Sequence, residues 1–388
     1  MISLNFFNLI KKINLLINCR KDFSIPSHKP ILIVDKEGSD ILLKYLKNDA
    51  CNTLNTRFES INIWSLIRSF LSFNFNFRGY INAYIKFTKP KIAITFIDNT
   101  VLFHRIKRDN PGIVTIFIQN GNRDSKPLSP PNEKNIVDYM LVFDHIIGNR
   151  YLNYLKGKYL AIGSFKLNYI SKKISAENNR KNKKGYAFIS QFRNDYLENI
   201  ELAGPDLYEP EIRILPMILN HSLAKKTPLT ILSCSNNLKD YDKEYTFYKD
   251  ILGSDHGWAL ERQLNTFSNY FFVKNSDLVI SIDSSLGYEG VAMGKRSAIF
   301  GSRFEFTTDK DWYCNQGGEE LDKKGEFWTD ETTKQEFDRV MDFALNSSEL
   351  VWKNTVTKYK EHIMNYDPGN TIFIDLMKKL NVSIKNDY

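Results

Sequence analysis

Short, unbroken apolar runs alternate with longer stretches of helical spacing along most of this chain, and each run stops at polar residues. Ile31–Val34 ends at Asp35, Lys91–Ile97 at Asp98 and Asn99, and Ile113–Ile118 at Gln119, Asn120 and Gly121. Met140–Phe143 ends at Asp144 and His145, and Tyr159–Ile162 at Gly163 and Ser164. Runs of this length without polar alternation suit strands covered on both faces, as in parallel sheets. Ser39–Leu46 and the aromatic segment Ile61–Ile85 read as the intervening helices. The alternation predicts a doubly wound α/β fold.

Between residues 168 and 184 the chain turns polar and basic, which predicts a linker. The strand pattern then restarts. Tyr186–Ile189 ends at Ser190 and Gln191, Leu229–Leu232 at Ser233, and Leu278–Ile282 at Asp283, with Ser297–Phe300 following. Pro210 between Glu209 and Glu211 marks a helix start, since proline suits the first turn and acids suit its dipole. Lys334–Leu380 reads as mostly helical. Two similar halves result: residues 1–167 and 185–365, joined by the linker 168–184 and followed by a terminal segment, 366–388. A length of 388 residues suits two cores better than one.

Composition narrows the class. Apolar content of 42% and aromatic content of 13% exclude a disordered chain. The net charge of +8 suits an anionic ligand or membrane surface, but the basic residues are dispersed outside the linker, which argues against nucleic acid. Cys19, Cys51, Cys234 and Cys314 are scattered without paired spacing, so neither a zinc site nor a disulfide framework is expected and a cytoplasmic setting fits. No run of about 20 apolar residues is present to span a bilayer. Met1–Arg20 is interrupted by Lys11 and Lys12 and lacks a cleavage site for secretion. Ile2, Phe6, Leu9, Ile10, Ile13 and Ile17 have helical spacing, which fits either an interfacial helix on the inner membrane or a helix packed on the protein body.

The stretch Leu278–Phe300 carries the clearest chemistry. A buried strand opens through Asp283, Ser284 and Ser285 into a small-residue helix, whose first N–H groups and positive dipole end suit an anion. Ser284 could instead merely cap the helix. Glu289 lies one turn further on, in reach of a ribose hydroxyl. In open parallel sheets ligands bind beyond the carboxyl ends of the strands, where Asp98, Asn99, Gln119, Asn120, Ser190, Gln191, Arg193, Ser233, Ser284 and Ser285 all fall. Asp98 could act as a general base or nucleophile, or cap the following helix. His145 is a weaker candidate, and His104 and His256 weaker still. No two histidines have metal-ligand spacing and no DxD follows a strand, so no metal is expected. The turn after Val34 lacks GxGxxG, which argues against a dinucleotide oxidoreductase.

Seven motifs occur in order: Ile97-Asp98-Asn99, Gln119–Arg123, Ile162-Gly163-Ser164, Ser190–Arg193, Asp283–Glu289, Gly325–Thr329 and Tyr366–Asn370. The set resembles bacterial surface-carbohydrate biosynthesis proteins of O-antigen and capsule clusters, over about residues 30–375. The resemblance implies a GT-B glycosyltransferase plan: two Rossmann-like domains facing a cleft, with a C-terminal helix crossing back onto the first. The family is distantly similar to transferases that use CMP-linked keto-acid sugars such as Kdo. Carried over, this implies donor binding by Ser190, Gln191, Arg193, Ser233, Ser284, Ser285, Leu286, Gly287 and Glu289. It implies acceptor binding by Asn99, Gln119, Asn120, Gly121 and Arg123, and catalysis by Asp98, with Glu209 and Asp206 as runner-up carboxylates. The expected partners are a nucleotide sugar as co-substrate, with no other cofactor, and a glycan or lipid-linked glycan acceptor. A UDP- or GDP-sugar transferase and a sugar-nucleotide epimerase of the same fold are the enzymatic alternatives, and a nucleic-acid-binding protein the non-enzymatic one.

Overall fold

The computed structural model describes residues 18–57, 59–74, 76–123, 135–176, 185–193, 206–253, 256–306 and 321–385. The expected N-terminal membrane helix and Cys314 lie outside these residues. In the first half, a six-stranded parallel sheet has the order β3-β2-β5-β6-β7-β8. Its strands are β2 (Ile31–Val34), β3 (Cys51–Leu54), β5 (Ile92–Thr95), β6 (Val114–Ile118), β7 (Ile136–Val142) and β8 (Lys156–Ala161). A separate parallel pair joins β1 (Arg20–Asp22) to β4 (Ser60–Asn62). The longer helices of this half are α1 (Ser39–Tyr45), α2 (Ile63–Leu71), α3 (Phe77–Thr88), α4 (His145–Leu152) and α5 (Phe165–Ala176). The central strands are buried along their whole length, which is why they read as continuous apolar runs.

The second half holds a seven-stranded sheet ordered β11-β10-β9-β12-β13-β15-β14, parallel except for β14 against β15. Its strands are β9 (Tyr186–Ile189), β10 (Leu229–Leu232), β11 (Trp258–Glu261), β12 (Leu278–Ser281), β13 (Ser297–Phe300), β14 (Lys324–Gly325) and β15 (Trp328–Thr329). The helices are α6 (Glu209–Ala224), α7 (Leu238–Leu252), α8 (Ser268–Asn275), α9 (Ser285–Ala292), α10 (Lys334–Asn346), α11 (Glu349–Ile363) and α12 (Thr371–Lys379). The strand order reverses between β9 and β12, and in the first sheet between β2 and β5. Such switch points open crevices at the carboxyl ends of the strands.

Residues 168–176, expected to open a linker, instead complete α5, because Leu167, Ile170 and Ile174 bury one face of that helix. After α11 the chain returns to the first half. Phe373, Leu376 and Met377 of α12 join the core of Tyr45, Phe165 and Ile170. Asn370 Nδ2 donates to Tyr45 Oη (2.8 Å) and to the Phe165 carbonyl (3.0 Å), while Asn168 Nδ2 donates to Asn370 Oδ1 (3.1 Å). The terminal helix therefore crosses back and fixes the two halves to each other. No helix among the described residues is long and apolar enough to cross a membrane.

Candidate functional site in the interdomain cleft

The carboxyl ends of the two sheets face a cleft of about 550 Å³. Arg57, Asn99, Asn120, Gly121, Asn122 and Arg123 line it from the first half. Ser190, Gln191, Arg193, Cys234 and the segment Asp283–Ser285 line it from the second. Asn122 Nδ2 donates to the Asp283 carbonyl at 2.7 Å and so bridges the halves. Gln191 Oε1 accepts from the Asp283 backbone N–H at 3.1 Å, which joins the ends of β9 and β12.

Ser284 is the N-cap residue of α9, yet its side chain makes no capping bond. Asn62, Asn76, Asp144 and Asn237 all cap their helices with side-chain oxygens. The Ser284 and Ser285 hydroxyls and the first turn of α9 are instead presented at the cleft wall. Gly287 lets α9 approach β12, since a Cβ there would sit 2.5 Å from Ser281 Cβ.

Asp98, expected to carry the reaction, lies outside the cleft lining and is enclosed by partners. It is 0% exposed, and its two oxygens take four bonds. Arg123 Nε (2.6 Å) and the Tyr151 hydroxyl donate to Oδ2, while Arg123 Nη2 and the Asn120 N–H (3.4 Å) donate to Oδ1. Its own carbonyl accepts from the buried His104 Nε2 at 2.8 Å. A carboxylate so engaged has no lone pair left for an acceptor hydroxyl, and it does not cap the next helix either. Asp98 therefore positions Arg123. Of the five guanidinium hydrogens, Nε–H binds Asp98 and the two on Nη2 serve Asp98 and Asn120 Oδ1 (2.9 Å). One on Nη1 serves the Asn122 carbonyl (2.7 Å). Burial pulls the Arg123 pKa down, but the Asp98 carboxylate more than offsets this and holds it above the ordinary arginine value.

Several other expected residues are spent inside the protein. Glu209 begins α6 and pairs with Arg213 at 2.9 Å, away from the cleft lining. Gln119 is buried as a brace, donating to the Gly121 carbonyl (2.9 Å) and accepting from the Phe143 N–H (2.8 Å). Ser233 is fully buried and donates to Glu244 Oε2 at 2.6 Å. Ser190 reaches the cleft wall, but its hydroxyl also binds Glu244 and accepts from Tyr248 Oη at 2.7 Å. Leu286 packs into the apolar contact between the halves. Glu289 is buried, within hydrogen-bonding reach of Tyr270 and of Ser164 from the first half, and is absent from the cleft lining. Burial raises its pKa above the ordinary glutamate value, partly offset by those two bonds. His145 is exposed at the start of α4 and does not line the cleft.

The partners that organise the site were not singled out from the sequence. Glu244 accepts from Ser190, Ser233, and the backbone N–H groups of Cys234 (3.1 Å) and Ser235 (3.3 Å), thereby tying the ends of β9 and β10 together. Arg303 Nη2 binds Glu211 Oε1 at 2.6 Å and Arg303 Nε binds Asp283 Oδ2 at 3.1 Å, all three residues being buried. Asp283 Oδ1 has no hydrogen-bond partner among the described residues. Arg57, Asn122 and Cys234 complete the lining.

Two doubly wound domains, a cleft at both switch points and a returning C-terminal helix define the GT-B architecture. Solved structures agree in fold. The S. aureus MnaA–UDP structure matches with a TM-score of 0.55 at 13% identity, covering 92% of this chain and 98% of that one. UDP-GlcNAc 2-epimerase from Neisseria meningitidis, bound to UDP-GlcNAc, gives 0.51 at 13% identity, covering 90% and 99%. The wall teichoic acid polymerase TagF, soaked with CDPG, gives 0.51 at 10% identity, covering 91% and 89%. No curated protein matches the sequence. A family model described as "putative O-antigen biosynthesis protein" matches residues 116–381, and the chain belongs to that family.

Proposed function

We propose that this protein is a glycosyltransferase that moves a sugar from a pyrimidine-nucleotide donor onto a hydroxyl of a growing surface glycan. The observation that carries the reading is the α9 N-terminus, left without a side-chain cap on a cleft wall it shares with Arg193, with Arg123 on the wall of the first half. Donor phosphate oxygens would accept from Ser284, Ser285 and the first N–H groups of α9, with the Arg123 guanidinium opposite. As the anomeric C–O bond breaks, its electron pair passes to the phosphate, and these fixed donors stabilise that charge without a metal. The acceptor oxygen bonds to the anomeric carbon. We assign its proton to Asp283, a carboxylate of the cleft lining whose buried Oδ1 has no hydrogen-bond partner among the described residues.

The CMP-linked keto-acid donor expected from the sequence finds no support among these structural neighbours, which are described with UDP, UDP-GlcNAc and CDPG. The reading therefore names the pyrimidine class and keeps CMP as one arm of its test. Thermal unfolding of the full chain is measured with CMP, CDP, UDP, GDP and ADP. A pyrimidine nucleotide at 100 times its Kd should stabilise by about 2.7 kcal/mol. Ser285→Glu, which places a negative charge among the phosphate donors, should abolish that shift. A wild-type protein that responds to no nucleotide overturns the reading. The epimerase neighbours favour a second reading, an epimerase of the same fold. Conversion of a nucleotide sugar to its epimer without any acceptor would select it.

A further inference from the structure

Helix α2 packs Ile63 and Leu66 against the core and presents a second apolar side outward. Ser65 and Ser69 are its buried residues, while Trp64, Ile67, Phe70 and Leu71 are exposed. The cause is its packing on α3. Ser65 caps back onto Asn62 Oδ1 at 3.0 Å, and Ser69 Oγ donates to the Asn74 carbonyl at 2.5 Å. A Cβ on Gly79 of α3 would lie only 2.8 Å from Ser69 Oγ, so the helices meet through small residues and α2 cannot roll that second side inward. The segment that follows β1, which pairs with β4 just before α2, extends the same face through Phe23 and Ile25. The Phe23 carbonyl accepts from Trp64 Nε1 at 2.8 Å. Leu71 is 76% exposed, Phe73 84% and Phe23 70%, a concentration of large apolar groups that single scattered surface residues do not produce.

Beside this face lies a polar hollow of about 280 Å³ between α2 and α3, lined by Arg68, Arg78 and Lys86 together with the N-terminus of α3. The one acidic residue of its lining among the described residues, Asp109, is engaged by Arg78. Aromatic and aliphatic side chains with a basic rim fit the boundary of a negatively charged bilayer. Charge disfavours the other occupants. A second copy in a two-fold contact would set this basic rim against itself. Met1–Ile17 carries Lys11 and Lys12 and no acidic residue.

We propose that the α2 face docks the first domain onto an anionic lipid surface, with Trp64, Ile67 and Leu71 at the acyl boundary and Arg68 and Lys86 at the level of the phosphates. On its other side α3 borders a largely apolar cavity of about 230 Å³, lined by Phe77 and Ile81, which shares Arg57 and Ile97 with the cleft. A docked protein thus holds the acceptor side of its cleft one helix away from the bilayer, which suits a lipid-carried acceptor. That extension rests on the transferase reading; the docking does not.

The test is co-sedimentation of the full chain with phosphatidylglycerol-containing and pure phosphatidylcholine vesicles, without nucleotide, so it can fail independently of the transferase reading. Binding to the anionic vesicles is expected, with Ile67→Glu/Leu71→Glu lowering the partition coefficient at least about tenfold. Arg68→Gln/Lys86→Gln should lower it by about tenfold or more, and only on anionic vesicles. These positions lie on the surface, and an unchanged thermal midpoint shows the variants folded. No binding by the wild type overturns the proposal. So does unchanged binding by Ile67→Glu/Leu71→Glu, which would assign the attachment to Met1–Ile17 or another face. Self-association abolished by the same pair, without vesicle binding, would assign the face to a second copy.

Discussion

Replacing Asp98 by Asn separates two roles that a carboxylate at a strand end could play. Asp98 is 0% exposed and the Arg123 side chain 15%, and the two are joined through both Nε and Nη2. Asparagine keeps the shape but removes the charge, and its amide hydrogens turn toward donors already present on Arg123 or Tyr151. Leaving a buried guanidinium without its counter-charge costs about 3–5 kcal/mol, because the pair's attraction no longer offsets the guanidinium's lost hydration. Arg123→Gln strands the carboxylate and should cost a similar amount. The double variant removes both charges, so its cost should fall short of the sum of the singles by about 2 kcal/mol or more. Urea unfolding of the four proteins at neutral pH, followed through the transition of the first domain, supplies the cycle. If Asp98→Asn unfolds within about 0.5 kcal/mol of wild type while turnover is lost, the positioning argument is wrong and Asp98 is the base.

Three further outcomes follow from the same geometry. Glu244→Gln must offer an amide where four donors converge, and should destabilise the second domain by about 2 kcal/mol in urea while weakening nucleotide binding. Gly287→Val brings side-chain carbon against Ser281 and should cost about 1–3 kcal/mol, pushing α9 off β12 and raising the nucleotide Kd. Glu289 has a pKa raised by burial, so its stabilising contribution is fully present below the ordinary glutamate value of 4.5 and is lost as pH rises through its folded value. Glu289→Gln should therefore gain stability over wild type at neutral pH, and that gain should shrink as pH falls toward 4.5. An advantage constant across that range would show that Glu289 does not titrate as its burial requires.

The sequence by itself determined the layout. Parallel strands covered on both faces must be apolar throughout, so Tyr186–Ile189, Leu229–Leu232 and Ser297–Phe300 are read to the residue. Edge strands lack that constraint, and Cys51–Leu54 and Trp258–Glu261 pass unnoticed. The polar strand ends also placed the site, since chain direction alone gathers Asn99, Asn120, Arg123, Gln191, Arg193, Ser284 and Ser285 at one crevice. Only the tertiary structure decided which of those polar groups remain available. Asp98 and Ser233 are consumed by Arg123, Tyr151 and Glu244, and Ser190 shares its hydroxyl with Glu244 and Tyr248. Hydrogen bonding is exclusive: a lone pair or proton used inside the fold is not offered to a ligand, and its user arrives from a distant part of the chain. The outward apolar side of α2 has the same origin. Its periodicity fits a packed helix, but the close meeting of Ser69 with Gly79 decides which side faces the protein.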